Sequence, residues 1–266
     1  MLVLIKGAGD LATGVAHRLK RCGFDVVMTE IEEPTTVRRT VAFSQAVYDC
    51  KVEVEGVKAT LVKDIQMIRE NIDNGVISVI VDKDENIIEV LKPDIVVDAI
   101  VAKKNTGTSI DDAPIVIALG PGFEAGVDCD LVIETKRGHY LGRVITKGKA
   151  IPNTGVPGNI GGYTKERIIR ASADGKIKPA VSIGDFVTKG QVVAHIDGVE
   201  VLAEIDGIVR GMLQEGIEVF KGMKSGDIDP RCEKDHCFTI SDKARSIGGG
   251  VLEAIMYMNN KNLNLE

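Results

Sequence analysis

Nothing in the 266-residue chain supplies a basic field: 33 lysines and arginines face 39 aspartates and glutamates, leaving a net charge of -6. That balance argues against a nucleic-acid partner, which requires cations to displace the counterions of a phosphate backbone. No apolar run reaches the ~20 residues of a membrane span. Met1 leads straight into the strand-like LVLI without the zones of a signal peptide, so a cytoplasmic location and no membrane partner are expected. The five cysteines, Cys22, Cys50, Cys129, Cys232 and Cys237, form no C-x-x-C pair, which excludes a disulfide scaffold or zinc ribbon and predicts reduced thiols, most of them in the core. Cys232, His236 and Cys237 in RCEKDHCF lack a zinc spacing and read as ordinary packing, so no metal site is expected. No G-x-S-x-G, H-E-x-x-H or P-loop pattern appears, which removes the usual hydrolase and NTPase readings.

What is present is an alternation of apolar runs and helix-like segments through the first half, the pattern of an α/β protein with a Rossmann-like, mostly parallel sheet. Strands are expected at Leu2–Ile5, Asp25–Glu30, Val76–Val81, Ile95–Ile100, Ile115–Leu119 and Leu131–Ile133, and helices over Asp10–Arg21, Pro34–Ala46 and Lys63–Asn71. Lys51–Val62 reads as a hairpin turning at Gly56. Glycine, proline and asparagine then cluster in GKAIPNTGVPGNIGG, which marks a connection or loop-built site; Asn153, Thr154 and Gly155 are its candidate hydrogen-bonding residues. Beyond it, G-x-x-V-x-K-G occurs twice, at 184–190 and 216–222, and predicts two similar β-halves packed face to face. The expected organisation is a first domain over 1–150, a connection over 151–167, a small all-β domain over 168–230 and a C-terminal helix over 231–266 packing on the core. That helix starts near Ser241 and contains Gly248, Gly249 and Gly250, which close packing against another backbone would justify.

Four segments carry candidate binding or catalytic residues. In LIKGAGDLATG, Gly7, Gly9 and Ala12 match G-x-G-x-x-G/A directly after a strand and opening a helix, where glycines permit a turn and free amides face a pyrophosphate. Thr13 would complete that cradle, and Glu30, ending the second strand, would accept from ribose hydroxyls. Asp10 opposes an anion there unless it faces away or holds a cation. If the sheet is parallel, Lys103, Lys104 and Asn105 in one loop and Gly120 and Gly122 in another fall at the same edge, adding ammonium groups and amides. In ETKRGHYLGRV, Arg137 would clamp a phosphate or carboxylate and His139 is the candidate catalytic proton carrier.

Two resemblances extend this reading. GDFVTKGQVVAHI, AEIDGIVRG and EGIEVFKGMKSGDI resemble the lipoyl/biotinyl carriers, a barrel-sandwich fold, but the intervening DGVEVLAEIDG has no lysine to modify, so neither lipoyl nor biotin is expected. The series KGAGDLATGVAHRL, EEPTTVRRTVAFSQAVYD, GPGFEAGVDCDLVIETKRGHYLGRVI, NTGVPGNIGGY and FTISDKARSIGGGVLEAI resembles the YqeB-type family of selenium-dependent molybdenum hydroxylase system proteins, distantly similar to xanthine dehydrogenase accessory proteins. The resemblance implies a maturation factor that modifies or delivers a molybdopterin-type cofactor, or a dinucleotide, to an apo molybdenum hydroxylase. An NAD(P)-dependent oxidoreductase and a non-catalytic scaffold that docks through the β-domain are the alternatives. Oligomeric state stays open.

Overall fold

A computed structural model describes residues 1–82, 86–153, 155 and 158–262. The chain divides into two units, and neither is a continuous stretch of sequence: Met1–Glu32, Phe43–Asn153 and Ile240–Glu266 form the first, Glu33–Ala42 and Thr154–Thr239 the second.

In the first unit, strands β1 (Leu2–Lys6), β2 (Asp25–Glu30), β3 (Lys51–Val54), β4 (Val57–Val62), β5 (Ile77–Val81), β6 (Ile95–Asp98), β7 (Ile115–Leu119), β9 (Leu131–Ile133) and β10 (Val144–Ile145) make one nine-stranded sheet in the order β10-β9-β7-β6-β1-β2-β5-β4-β3; β8 (Glu124–Ala125) and β11 (Gly148–Lys149) pair separately. The central strands are parallel, whereas β3 on β4 and β10 on β9 are antiparallel. The sheet is therefore mixed, and the Rossmann-like assignment is corrected. Its physical origin is local: Glu55 and Gly56 both have positive φ, 45° and 80°, the geometry of a two-residue hairpin turn that forces β3 back along β4. The buried Val/Ile runs of β6 and β7 are the legible part, because strands covered on both faces need no alternation.

Helices α1 (Asp10–Arg21), α2 (Ala46–Asp49), α3 (Ile65–Asp73), α4 (Ile87–Leu91) and α5 (Asp242–Asn262) complete this unit. Helix α1 packs on α5 through glycine. A β-carbon on Gly14 would meet Ala244 Cβ at 2.6 Å, and one on Gly248 would meet the Gly14 carbonyl oxygen at 2.7 Å. The glycines that disfavour α5 as an isolated helix are thus what let two backbones approach. The helix expected over Pro34–Ala46 does not form. Val37 instead accepts from the Met212 amide at 2.7 Å, so Glu33–Ala42 leaves the first unit to cover a strand of the second.

The second unit holds two four-stranded antiparallel sheets built from β12 (Ile168–Arg170), β13 (Gly175–Pro179), β14 (Phe186–Val187), β15 (Val192–Ile196), β16 (Val199–Leu202), β17 (Gly207–Met212), β18 (Glu218–Val219) and β19 (Lys224–Asp229), in the orders β12-β19-β17-β14 and β16-β15-β13-β18. The sequence repeat has a structural counterpart. Lys189 and Lys221 each donate a backbone N–H to an aspartate, Asp206 and Asp174, at 2.6 Å, and Gly190 and Gly222 each donate to an alanine carbonyl, at 2.8 and 2.9 Å. The expectation of a lipoyl-like barrel-sandwich is nonetheless corrected. Strand β17 is buried at every position, and the imported 33–42 segment lies against it, with Gly211 leaving no room for a β-carbon beside the Val37 oxygen at 2.8 Å. Repeat spacing reports turns; it carries no information on what covers a sheet. The cysteines also depart from expectation, since Cys22, Cys50 and Cys232 are exposed and only Cys129 and Cys237 are buried.

Candidate functional site

Strand β1 lies between β6 and β2, so the strand order switches direction there, and the place beyond its carboxyl end is where open α/β sheets take up ligands. Gly7 turns the chain there with φ of 91°, and a β-carbon on it would sit 3.3 Å from the Ala99 carbonyl and Ile100 Cα. Only glycine relieves both the backbone conformation and that contact. Gly9 precedes α1 as its cap, without a capping side chain. Ala12 and Thr13 are fully buried rather than presented to a ligand.

Much of the motif is satisfied internally. Thr13 Oγ1 donates to the Ala8 carbonyl at 3.3 Å and accepts from the Phe43 amide at 2.8 Å. Glu30 accepts from the Ala8 and Ile31 amides, each at 2.9 Å, so its carboxylate braces the turn; burial raises its pKa above the ordinary carboxylate value. Asn105 folds its own loop, accepting from the Gly107 and Thr108 amides at 2.9 and 2.8 Å and donating to the Thr108 carbonyl at 2.7 Å.

The loop after β6 is where the edge departs from regular geometry. Val101 and Lys103 have φ of 58° and 67°; for a β-branched residue this left-handed conformation is a genuine outlier. The loop is held from both sides: its start lies on Gly7, and a β-carbon on Gly122 would meet the Lys104 amide nitrogen at 2.7 Å. Its far end is fastened to the sheet, because Thr108 Oγ1 donates to Asp98 at 2.7 Å and receives from Lys6 Nζ at 3.0 Å. Burial raises the Asp98 pKa. Lys103 and Lys104 project from this fastened loop and are exposed. Gly120, with φ of 76°, packs on Thr135 at the end of β9.

Arg137 forms a two-pronged ion pair with Asp242, at 2.5 and 2.8 Å, and His139 is exposed with its ring edge-on to Tyr140 at 5.0 Å. The structure thus brings Gly7, Lys103, Lys104 and Gly122 together and places Thr13, Glu30 and Asn105 in supporting contacts. Thr154 lies outside the described residues. Burial and Arg137 lower the pKa of Lys243, in the first turn of α5, while Asp10, Glu134 and Asp242 act in the other direction. Glu134 is itself buried and accepts from the Lys136 and Ile151 amides at 2.7 and 2.8 Å. The sequence did carry a signal for Lys243: a cation in a helix's first turn runs against the helix dipole. On the same sheet edge, beyond the ends of β2, β4 and β5, Glu32, Val47, Leu61, Val62, Lys63, Ile80 and Val81 line a mainly aliphatic groove of about 370 Å3.

No family model matches the chain. It is 53% identical over 257 residues to the uncharacterized protein YqeB of Escherichia coli (strain K12), a match covering 97% of this chain and 48% of that one; the chain spans about half the length of this curated relative. Among solved structures it is similar, at 14, 11 and 12% identity, to a succinylglutamate desuccinylase/aspartoacylase from Rhodobacter sphaeroides, a succinylglutamate desuccinylase from Silicibacter sp. TM1040 and an aspartoacylase family protein from Mesorhizobium loti. These cover 85% of this chain and 84, 84 and 83% of theirs, with TM-scores of 0.26, 0.27 and 0.25. The Rossmann-like label is corrected by the mixed sheet itself, with its antiparallel β3 and β10. Among the described residues no helix is long and apolar enough to cross a membrane, and no group of three His, Cys, Asp or Glu is placed to hold a metal.

Proposed function

From the likeness to YqeB over 97% of the chain, we propose that this protein binds a small phosphate-bearing ligand at the crevice beyond β1 and β6, in the cytoplasm, as an accessory factor for a selenium-dependent molybdenum hydroxylase. The accessory role and the apo-hydroxylase partner come from the YqeB-type resemblance alone. The observation that carries the binding reading is the loop over 101–108: it is held in a costly backbone conformation, is clamped between Gly7 and Gly122, and offers Lys103 and Lys104 at the sheet edge. Two ammonium groups on a rigid support favour an anion more than the same groups on a mobile loop, because less ordering entropy is lost on binding. The aliphatic groove along the same edge suits a flat ring, which supports a molybdopterin-type cofactor or a dinucleotide as the ligand.

The test is recovery of ligand from protein purified anaerobically, by acid release and mass spectrometry, followed by titration with molybdopterin-type cofactor, NAD+ and NADP+. Wild-type protein is expected to bind one of these at least about tenfold more tightly than the Lys103→Gln/Lys104→Gln double variant, a difference of about 1.4 kcal/mol. Absence of any released ligand together with absence of binding on titration overturns the proposal.

A further inference from the structure

The opposite end of α1 carries a second set of charged groups. Gly14, His17, Arg18 and Arg21 of α1, Cys22 just beyond it, Ile240 just before α5 and Arg245 in α5 line a cavity of about 260 Å3. Arg245 is fixed by Glu55, its Nη2 lying 2.7 Å from both carboxylate oxygens, and its Nε donates to the Ile240 carbonyl at 3.2 Å. Arg18 reaches across to donate to the Arg245 carbonyl at 3.3 Å. Neither Arg18 nor Arg21 has a carboxylate partner among the described residues. Three guanidiniums therefore share one carboxylate around a small space, in a chain whose overall charge is -6. Basic residues in the last turn of α1 complement its dipole, but that accounts for Arg18 and Arg21 only and not for the convergence of Arg245 from another helix.

We propose that this cavity is a binding site for a phosphoryl dianion. The charge matches, since the cluster holds two positive charges in excess of Glu55, and a bound dianion would relieve repulsion that the free protein retains. The donors match as well: guanidinium forks present paired N–H groups to phosphate oxygens, and more of them converge here than one carboxylate can use. A cavity of about 260 Å3 suits a single phosphoryl group, alone or as the end of a larger ester. The site is separate from the β1–β6 crevice, and its existence does not depend on what binds there.

The experiment is calorimetric titration of the full chain at constant ionic strength with inorganic phosphate, glycerol 3-phosphate and succinate, using the Lys103→Gln/Lys104→Gln background so that the sheet edge does not contribute. Arg21 is exposed and Arg18 makes one long bond, so Arg21→Gln and Arg18→Gln are expected to fold normally, as checked by circular dichroism. Each is expected to weaken phosphate binding by about tenfold, as the loss of a charge-assisted fork predicts. Tighter binding of glycerol 3-phosphate than of inorganic phosphate identifies a phosphate ester as the ligand class, and the reverse identifies free phosphate. Equal binding by wild type and both variants, no phosphate binding at all, or succinate binding as tightly as phosphate overturns the proposal.

Discussion

The two ends of helix α1 make an instructive pair. Its start carries the recognisable glycine motif, yet Thr13 is spent on Phe43 and Ala8, and the Ala8 amide is spent on Glu30. Its end carries no motif, yet three guanidiniums meet there with a single carboxylate between them. A motif records which backbone shapes a sequence permits. Whether the polar groups remain available is decided by neighbours that the motif does not contain, here the Phe43 amide and the Glu30 carboxylate.

That contrast can be broken most severely in the middle of the helix. Gly14→Leu places a side chain where Ala244 Cβ and its carbonyl already stand, at 2.6 and 2.8 Å, so both ends lose their support from α5. The expected loss is about 3 kcal/mol or more, seen as a lower denaturation midpoint in urea. Next comes Thr13→Val, which leaves the buried Phe43 amide without an acceptor; a loss of about 1–3 kcal/mol is expected in the same measurement. If the variant is as stable as wild type, the brace at the start of α1 is of no consequence.

A smaller effect concerns pH. Burial lowers the pKa of His17, which contacts the Glu55 carbonyl at 3.3 Å with Glu55, Arg21 and Arg245 around it. The unfolded chain then takes up the proton more readily, so the contribution is complete above the ordinary value of 6.5 and is lost as the pH falls through the depressed one. Stability in phosphate-free buffer should decline on acidification below about 6.5, and His17→Gln should flatten that slope. The smallest effect is Arg21→Gln, expected to change stability by no more than about 0.5 kcal/mol without anion, since an exposed group with no ion partner is removed. A thermal scan with and without phosphate separates this from wild type, whose midpoint should rise more with phosphate than the variant's.

The same division between local and distant causes runs through the fold. The parallel strands Leu2–Lys6, Asp25–Glu30 and Ile115–Leu119 and helix Asp10–Arg21 were legible because apolar runs and a glycine turn are local signals. Pro34–Ala46 reads as a helix from sequence because its proline start is a local signal, whereas the Met212 amide that draws Val37 into extended pairing lies 175 residues further on. At the candidate site, Gly7, Gly120 and Gly122 were found from sequence and do take positive φ. The strain at Val101 was invisible, since nothing in VAKKNTG announces that Gly7 and Gly122 will clamp it.

By itself, then, the sequence determined the strands buried on both faces, the turns that need glycine, the twofold G-x-x-V-x-K-G repeat and the likeness to YqeB-type chains, because each depends on neighbours along the chain or on order alone. Only the tertiary structure decided that 33–42 belongs with the β-unit, that Thr13 and Glu30 are braces, and that Arg245 joins Arg18 and Arg21. Each of these pairs groups that are distant in sequence, and the free energy that selects them comes from close packing and from satisfying buried polar atoms.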